Sequence, residues 1–413
     1  MENKNLLFYI VFLVNFSIVS AQQNFISLNN GYENQSFFSM ENGEVLNVPN
    51  DDWDIAFSTD VFSSTIRIND GKGVELYVYP LGDTSSWNNI NSSTPNILNQ
   101  PMYNSDTSWD IGAFDINSSG GFDYGWGVYN LQTHHIVGDS LFLLKTINGV
   151  WKKLWIERKI SGEIFFQHAD LDGTNLINQS VDASNYNNKR FIYYSLADDL
   201  VIDREPLMTE WDITFTKYIT PVMGTPYGVT GVLSNKGIEV SQANVNDPFN
   251  YVDYTSHNFN HEINSIGYDW KSYQSGGYVI DNNRCYFIRD YNNKIWRIIF
   301  TSFDGISTGN IEFNTLLIDA TSNIFNESLI STFTLYPNPA NNNVLLIYDL
   351  EEDLNQIFIS DINGKKVKDY QLSKQDSLSK LEINISELNK GIYIVSLHNK
   401  IGKLIANEKL VIY

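Results

Sequence analysis

Cysteine is almost missing from this chain. Cys285 is the single one among 413 residues, which excludes a framework of internal disulfides. It lies in Arg284-Cys285-Tyr286-Phe287, a strand-like run, and reads as a buried, inert thiol. Basic residues are also few, 27 Lys and Arg against 48 Asp and Glu. The resulting net charge of −21 argues against nucleic acid and anionic membrane as partners. Beyond the first twenty residues, no stretch is long and apolar enough to span a membrane. Ala, Lys and Glu are scarce and helical periodicity is weak, so little helix is expected. There is no Gly-x-Ser-x-Gly, no His-Glu-x-x-His and no glycine-rich phosphate loop. The expectation is a non-enzymatic protein.

What the chain has instead is aromatics (14% of residues) and Asn, the materials of strands and turns. The N-terminus carries Lys4, an apolar run from Leu6 to Val19, and Val19-Ser20-Ala21 before Gln22. That order reads as a secretory signal peptide at 1–21. No Cys stands near residue 20, so a lipid anchor at that end is not expected.

The tail is the most specific part. Leu335-Tyr336-Pro337-Asn338-Pro339-Ala340 opens it, and two prolines so close mark a rigid loop. Val344, Leu346 and Tyr348 then alternate as a mostly buried strand. Asn363-Gly364 falls between apolar runs, a hairpin signal. Lys390-Gly391 precedes a further strand, Ile392 to Leu397. The order of these motifs resembles the C-terminal sorting domain (type A) of the type IX secretion system. The resemblance implies a small β-sandwich at 333–413 that the secretion translocon recognises. Pro337, Asn338, Pro339, Gly364 and Gly391 would carry the sorting signal, and the protein would be secreted or held at the outer surface.

An internal duplication organises the middle. Phe37-Phe38-Ser39-Met40 and Trp53-Asp54-Ile55-Ala56-Phe57 return as Tyr193-Tyr194-Ser195-Leu196 and Trp211-Asp212-Ile213-Thr214-Phe215. Gly73-Val74-Glu75-Leu76, Tyr124-Gly125-Trp126, the pair Trp151 and Trp155, and Gly162-x-Ile164-x-Phe166 also recur, as Gly237-Ile238-Glu239-Val240, Tyr268-Asp269-Trp270, Trp296 with Phe300, and Gly309-x-Ile311-x-Phe313. Six landmarks thus repeat in one order, at offsets of 144 to 164 residues. Two tandem antiparallel β-domains follow, at 22–185 and 186–322, with a linker at 323–332. Trp53, Ile55 and Phe57 alternate with Asp54, Ala56 and Ser58, as in a strand with one buried face. Asn148-Gly149 and Asn292-Asn293 are the turns of twin hairpins.

The repeated pattern resembles the HmuY-like family, whose founding members bind haem. The fold class expected is therefore all-β: two HmuY-like domains followed by a small C-terminal sandwich. The resemblance implies haem, or another small ligand, as the cofactor to look for. His134, His135 and His168 are its candidate axial ligands, since imidazoles from separate loops can sandwich a haem iron. His257 and His261 share an Asn-rich loop with no helix to align them. The alternative is a structural or adhesive surface protein that contacts glycan or protein, with Trp87, Trp109 and Trp126 as exposed stacking rings. Asp54 and Asp212 recur like paired catalytic carboxylates, and a structural role is expected of them. Asp170-Leu171-Asp172-Gly173-Thr174 starts like a calcium loop but lacks the later bidentate acid, and reads as a turn.

Overall fold

The structure is a computed structural model that describes residues 21–60, 63–320, 332–349, 355–361, 365–372, 379–398 and 404–412. Of the signal peptide only Ala21 is among them, and the Asn363-Gly364 hairpin signal and the linker up to Ser331 lie outside them. The chain divides into two units between Ala320 and Thr321.

The first unit's strands are, in order, β1 (Gln22–Ser27), β2 (Asn34–Ser39), β3 (Gly43–Pro49), β4 (Ile55–Ser58), β5 (Ile66–Ile68), β6 (Glu75–Val78), β7 (Gly127–Asn130), β8 (His135–Gly138), β9 (Phe142–Lys145), β10 (Trp151–Ile160) and β11 (Glu163–Asp170). They continue with β12 (Ile177–Asp182), β13 (Phe191–Ser195), β14 (Leu200–Ile202), β15 (Ile213–Val222), β16 (Thr225–Ser234), β17 (Glu239–Asn244), β18 (Lys271–Gln274), β19 (Gly277–Ile280), β20 (Arg284–Arg289), β21 (Ile295–Phe303) and β22 (Asn310–Asp319). Among the described residues the only helices are short 3₁₀ turns. Every ladder is antiparallel, and the β9–β10 and β20–β21 turns carry Gly149 and Asn293 at positive φ, as their sequences demand.

Four sheets stack as layers. The outer sheets are β12-β11-β10-β8-β7, joined by β9 and β6, and β1-β22-β21-β20-β17. Between them lie two inner sheets, β14-β13-β4-β5 and β16-β15-β2-β3. One core joins the first outer and inner sheets through Ile55, Phe57, Trp126, Phe142, Phe166 and Tyr194. The other joins the second pair through Phe38, Ile213, Phe215, Trp270, Phe300 and Phe313. The inner sheets meet through Ala56, Phe191 and Tyr193 on one side, and Tyr218, Leu233 and Ile263 on the other, with Trp109 packing against both sets. The inner strands β2, β4 and β13 are therefore covered on both faces. Asp54, Ala56 and Ser58 are buried along with Ile55 and Phe57, in place of the single buried face expected.

The repeat's landmarks exchange partners. β2, with Phe37-Phe38-Ser39, pairs with β15, which follows Trp211-Asp212. β13, with Tyr193-Tyr194-Ser195, pairs with β4, which follows Trp53-Asp54. At the same time β1 closes onto β22, the last strand of the unit. One core is thus built from residues between Ile55 and Leu196. The other runs from Ile213 to Phe313 and is completed by Ile26, Leu28, Tyr32, Phe38 and Met40 of the N-terminal arm. The structural frame is shifted by one segment from a division at 185/186, because a strand pairs with whichever edge satisfies its hydrogen bonds, not with its nearest neighbour in sequence.

The second unit contains β23 (Thr332–Tyr336), β24 (Asn343–Asp349), β25 (Asn355–Asp361), β26 (Lys366–Leu372), β27 (Ser379–Asn384), β28 (Gly391–His398) and β29 (Leu404–Ile412). Sheets β23-β24-β27 and β26-β25-β28-β29 share one core that includes Val344, Leu346, Ile357, Ile359, Val395 and Leu410, so the tail is a sandwich.

Candidate functional site

Asp54 and Asp212 take equivalent places in the exchange. The Asp54 carboxylate accepts the Leu196 N–H at 2.8 Å, and that of Asp212 accepts the Met40 N–H at 2.7 Å. The backbone repeats this, with Asp54 N–H donating to Tyr194 O and Asp212 N–H to Phe38 O, each at 2.9 Å. Burial raises both carboxyl pKa values, that of Asp212 to about 7. The two acids lock opposite ends of the exchange, and neither faces a shared cleft with the other. The outer sheets carry a second matched pair, Glu75 with Lys145 and Glu239 with Arg289.

The seam between the inner sheets buries several charged groups, Arg67, Arg204 and Glu205 among them. Arg67 donates to Ser108 O (2.8 Å), Ser105 O (3.0 Å) and Ile111 O (3.2 Å), and lies over Trp109. Glu205 accepts from Arg190 N–H, Phe191 N–H and the Tyr193 hydroxyl. Arg204 bridges to the arm through Gln35, Pro49 O and Asp52, and covers Tyr193. Arg67, Arg190, Tyr193 and Glu205, with Trp53, Trp211 and Asn69, line a cavity of about 60 Å³. Ligand pockets run to roughly 300–1,000 Å³, so the space suits a little water better than a cofactor. The aromatic cage here is filled by the protein's own guanidinium groups. The described residues contain no cluster of His, Cys, Asp and Glu placed to hold a metal.

The three candidate haem ligands lie in different environments. His168 on β11 is fully buried, stacked on Phe166 and edge-on to Tyr194, with Nε2 3.0 Å from Asp199 Oδ1. Burial lowers its pKa, against the pull of Asp199. His134 is exposed in the β7–β8 turn, where its Nδ1 meets the Tyr129 hydroxyl at 2.8 Å, and His135 opens β8. Ile136 pairs with Lys159 and Lys159 with Ile164, so His135 and His168 lie two strands and five residues apart. At about 4.8 Å per strand and 3.3 Å per residue that is roughly 19 Å between Cα atoms. The structure does not bring them together. His257 bonds Tyr251 and His261 meets Glu239, each on its own loop contact.

The expected tryptophan platform is not at the surface. Trp126 is completely buried and donates to Ser64 O, Trp109 donates across the seam to Ser234 O, and Trp87 is covered by the Lys153 ammonium. A Trp in a β-rich chain is more valuable as core, and its N–H finds a buried carbonyl. Cys285 is buried and its thiol is pushed up to about 11, as an inert core thiol should be. Asp170 and Asp172 shape a turn by bonding Lys152 and Thr174.

Exposed rings occur instead on two hairpins that the sequence reading missed. Hairpin β18–β19 exposes every residue from Ser272 to Val279, including Tyr273 (67% exposed) and Tyr278. Ser275 and Gly276 form its tight turn at positive φ. Hairpin β7–β8 holds the equivalent place in the repeat, Tyr129 matching Tyr273 and Val137 matching Val279. It exposes Val128, Leu131 and Val137, and Phe122 stacks on Tyr129 with centroids 5.8 Å apart. The signal was present as Tyr-x-Trp followed by a short strand, but it read as core.

In the tail, Asn338 clips the proline loop to the last strand. Its Oδ1 accepts Val411 N–H at 2.9 Å and its Nδ2 donates to Lys409 O. Gly391 begins β28 opposite Ile412, and Pro337 and Pro339 are solvent-facing. Gly364 lies outside the described residues.

Residues 334–413 match the family described as the secretion system C-terminal sorting domain. The chain therefore carries a type IX sorting domain, is exported by that system, and is secreted or displayed at the cell surface. The middle region gives no HmuY-like match. No curated protein matches the chain. Among solved structures, dimeric latent PorU from Porphyromonas gingivalis is 10% identical over 68% of this chain and 32% of that one, with a TM-score of 0.19. PorZ, a surface component of the type IX secretion system of the same organism, is 9% identical over 69% and 44%, with a TM-score of 0.17. The chain thus spans less than half of either protein. No helix among the described residues is long and apolar enough to cross a membrane.

Proposed function

We propose that the exported chain is a non-enzymatic contact protein that engages an external partner through hairpins β7–β8 and β18–β19. The observation that carries this reading is the run 272–279, exposed at every residue and holding two tyrosines and a valine, whose counterpart in the other half exposes Val128, Leu131 and Val137. Exposed apolar patches rimmed by polar groups mark interaction sites. Most other aromatics of the unit pack into cores, although Phe25, Tyr227 and Phe249 are exposed singly, and the buried acids Asp54, Asp212 and Glu205 are engaged by backbone N–H groups. The HmuY-like, haem-capturing reading has less support, because His168 is enclosed far from His134 and His135. Binding of the purified chain to intact cells tests the proposal. Phe122→Ala with Tyr273→Ala should reduce binding at unchanged thermal stability, and binding that ignores both substitutions refutes it. A haemin titration addresses the other reading, since a Soret shift lost in His168→Ala would restore it.

A further inference from the structure

The two hairpins share a property unusual in a chain of net charge −21. Segment 127–138 contains no Asp, Glu, Lys or Arg. Segment 271–280 contains only Lys271, which is 8% exposed and donates its ammonium to Thr230 O at 2.6 Å. Neither hairpin thus offers a charged side chain of its own to solvent. What they offer is rings and neutral hydrogen-bonding groups. Tyr273 stands edge-on to Tyr278 at 5.3 Å, and Tyr278 is braced against Phe303 at 4.6 Å. Phe122 and Tyr129 form the other platform at an interplanar angle of 21°. Around them, Asn130, Gln132, Thr133, Ser272, Gln274 and Ser275 are exposed.

We propose that these hairpins bind neutral polysaccharide, a reading that rests on their being the contact surface. A pyranose presents an apolar C–H face and a rim of uncharged hydroxyls. An aromatic ring covers the first, and amides and hydroxyls bond the second. Rings held by neighbouring rings lose little entropy on binding, which suits weak, repeated contacts. The hairpin segments offer a polyanion no exposed Lys or Arg, and the residues that flank them, Asp123, Asp139, Asp269 and Asp281, are acidic. A second copy of the chain would bring another net charge of −21 to the contact, which opposes self-association. A polymer with many identical units that spans both platforms would bind through both at once, so the contacts would reinforce each other.

The experiment is affinity electrophoresis of the full exported chain through gels containing β-glucan, mannan or, as an anionic control, alginate. Neutral polymer should retard the wild type. Phe122→Ala and Tyr273→Ala should each weaken retardation about 2- to 10-fold, the worth of one aromatic contact. The double variant should lose at least the product of the two. Both side chains are substantially exposed, so melting temperatures should hold. Retardation by alginate alone, by no polymer, or equally in all variants overturns the proposal. Running the same variants in the cell-binding assay separates the two readings. If cell binding falls with the variants but no neutral polymer binds or competes, the hairpins are the contact surface and the polysaccharide assignment fails. If cell binding is unchanged, the contact surface itself is wrong.

Discussion

Removing the N-terminal arm, residues 22–50, should unfold the second half of the first unit and spare the first half. The arm places Ile26, Leu28, Tyr32, Phe38 and Met40 in the core around Trp270 and Phe313, each at most 7% exposed. At about 1.5–3 kcal/mol per buried side chain, the five contribute roughly 8–15 kcal/mol, an upper value because unfolded chains are partly compact. Whole domains are stable by only about 5–15 kcal/mol, so what remains after 209 cannot hold itself together. The ladders β1–β22 and β2–β15 are lost as well, leaving β22 and β15 with unpaired edges. Residues 51–208 keep both partners of the β4–β13 ladder and should stay folded. Hydrogen exchange on a 51–320 chain should show protection in 55–196 and none in 213–319, and a synthetic 22–50 peptide should restore the missing protection. Phe38→Ala in the intact chain should show the same polarity at a cost of about 3–5 kcal/mol. Uniform loss of protection across both halves, or none, refutes the exchanged frame.

Trp211 is buried and Trp53 only partly so, though each packs edge-on against its partner aromatic, Phe37 and Tyr193. Trp211→Ala should cost about 3–5 kcal/mol in urea unfolding and Trp53→Ala clearly less; equal losses would contradict the burial difference. Asp212, raised to about 7 by burial, favours folding when protonated, so its stabilising contribution is present at low pH and is lost as pH climbs from about 4 through 7. Asp212→Asn should remove up to about 1.4 kcal/mol per pH unit of that slope, and matching pH profiles for variant and wild type would exclude the effect. Deleting 333–413 should leave the first unit folded but retained inside the outer membrane, with wild-type amounts in the medium as the contrary result.

The sequence made the β class, the tail and the repeat legible, because each depends on local pattern. Pro337 and Pro339, the alternation Val344-Leu346-Tyr348 and the turns at Gly149 and Asn293 are decided within a few residues. The partner exchange was not legible. Phe37-Phe38-Ser39 has the same alternation whether it pairs with β4 or with β15, and only the three-dimensional closure of β1 onto β22 decides between them. The same limit explains the tryptophans. Trp126 and Trp270 close the two Tyr-x-Trp landmarks and are buried, yet Tyr273, three residues after Trp270, sits on an exposed hairpin. Ring exposure depends on whether a second sheet covers the strand, and no sequence window contains that sheet.

Asp54 and Asp212 show how a repeated acid acquires meaning from topology. Two carboxylates at equivalent positions invite an acid–base reading when seen in sequence. In the structure each accepts a backbone N–H at the point where one segment crosses to the other half. A buried carboxylate costs free energy unless it is bonded, so retaining one at a crossing favours the crossed pairing over one that leaves it unbonded. Register and partner choice, rather than chemistry, are then what the duplicated Trp-Asp-Ile motif specifies. This leaves the surface hairpins, which differ between the halves in loop length and ring content, as the place where the two copies were free to diverge towards a partner.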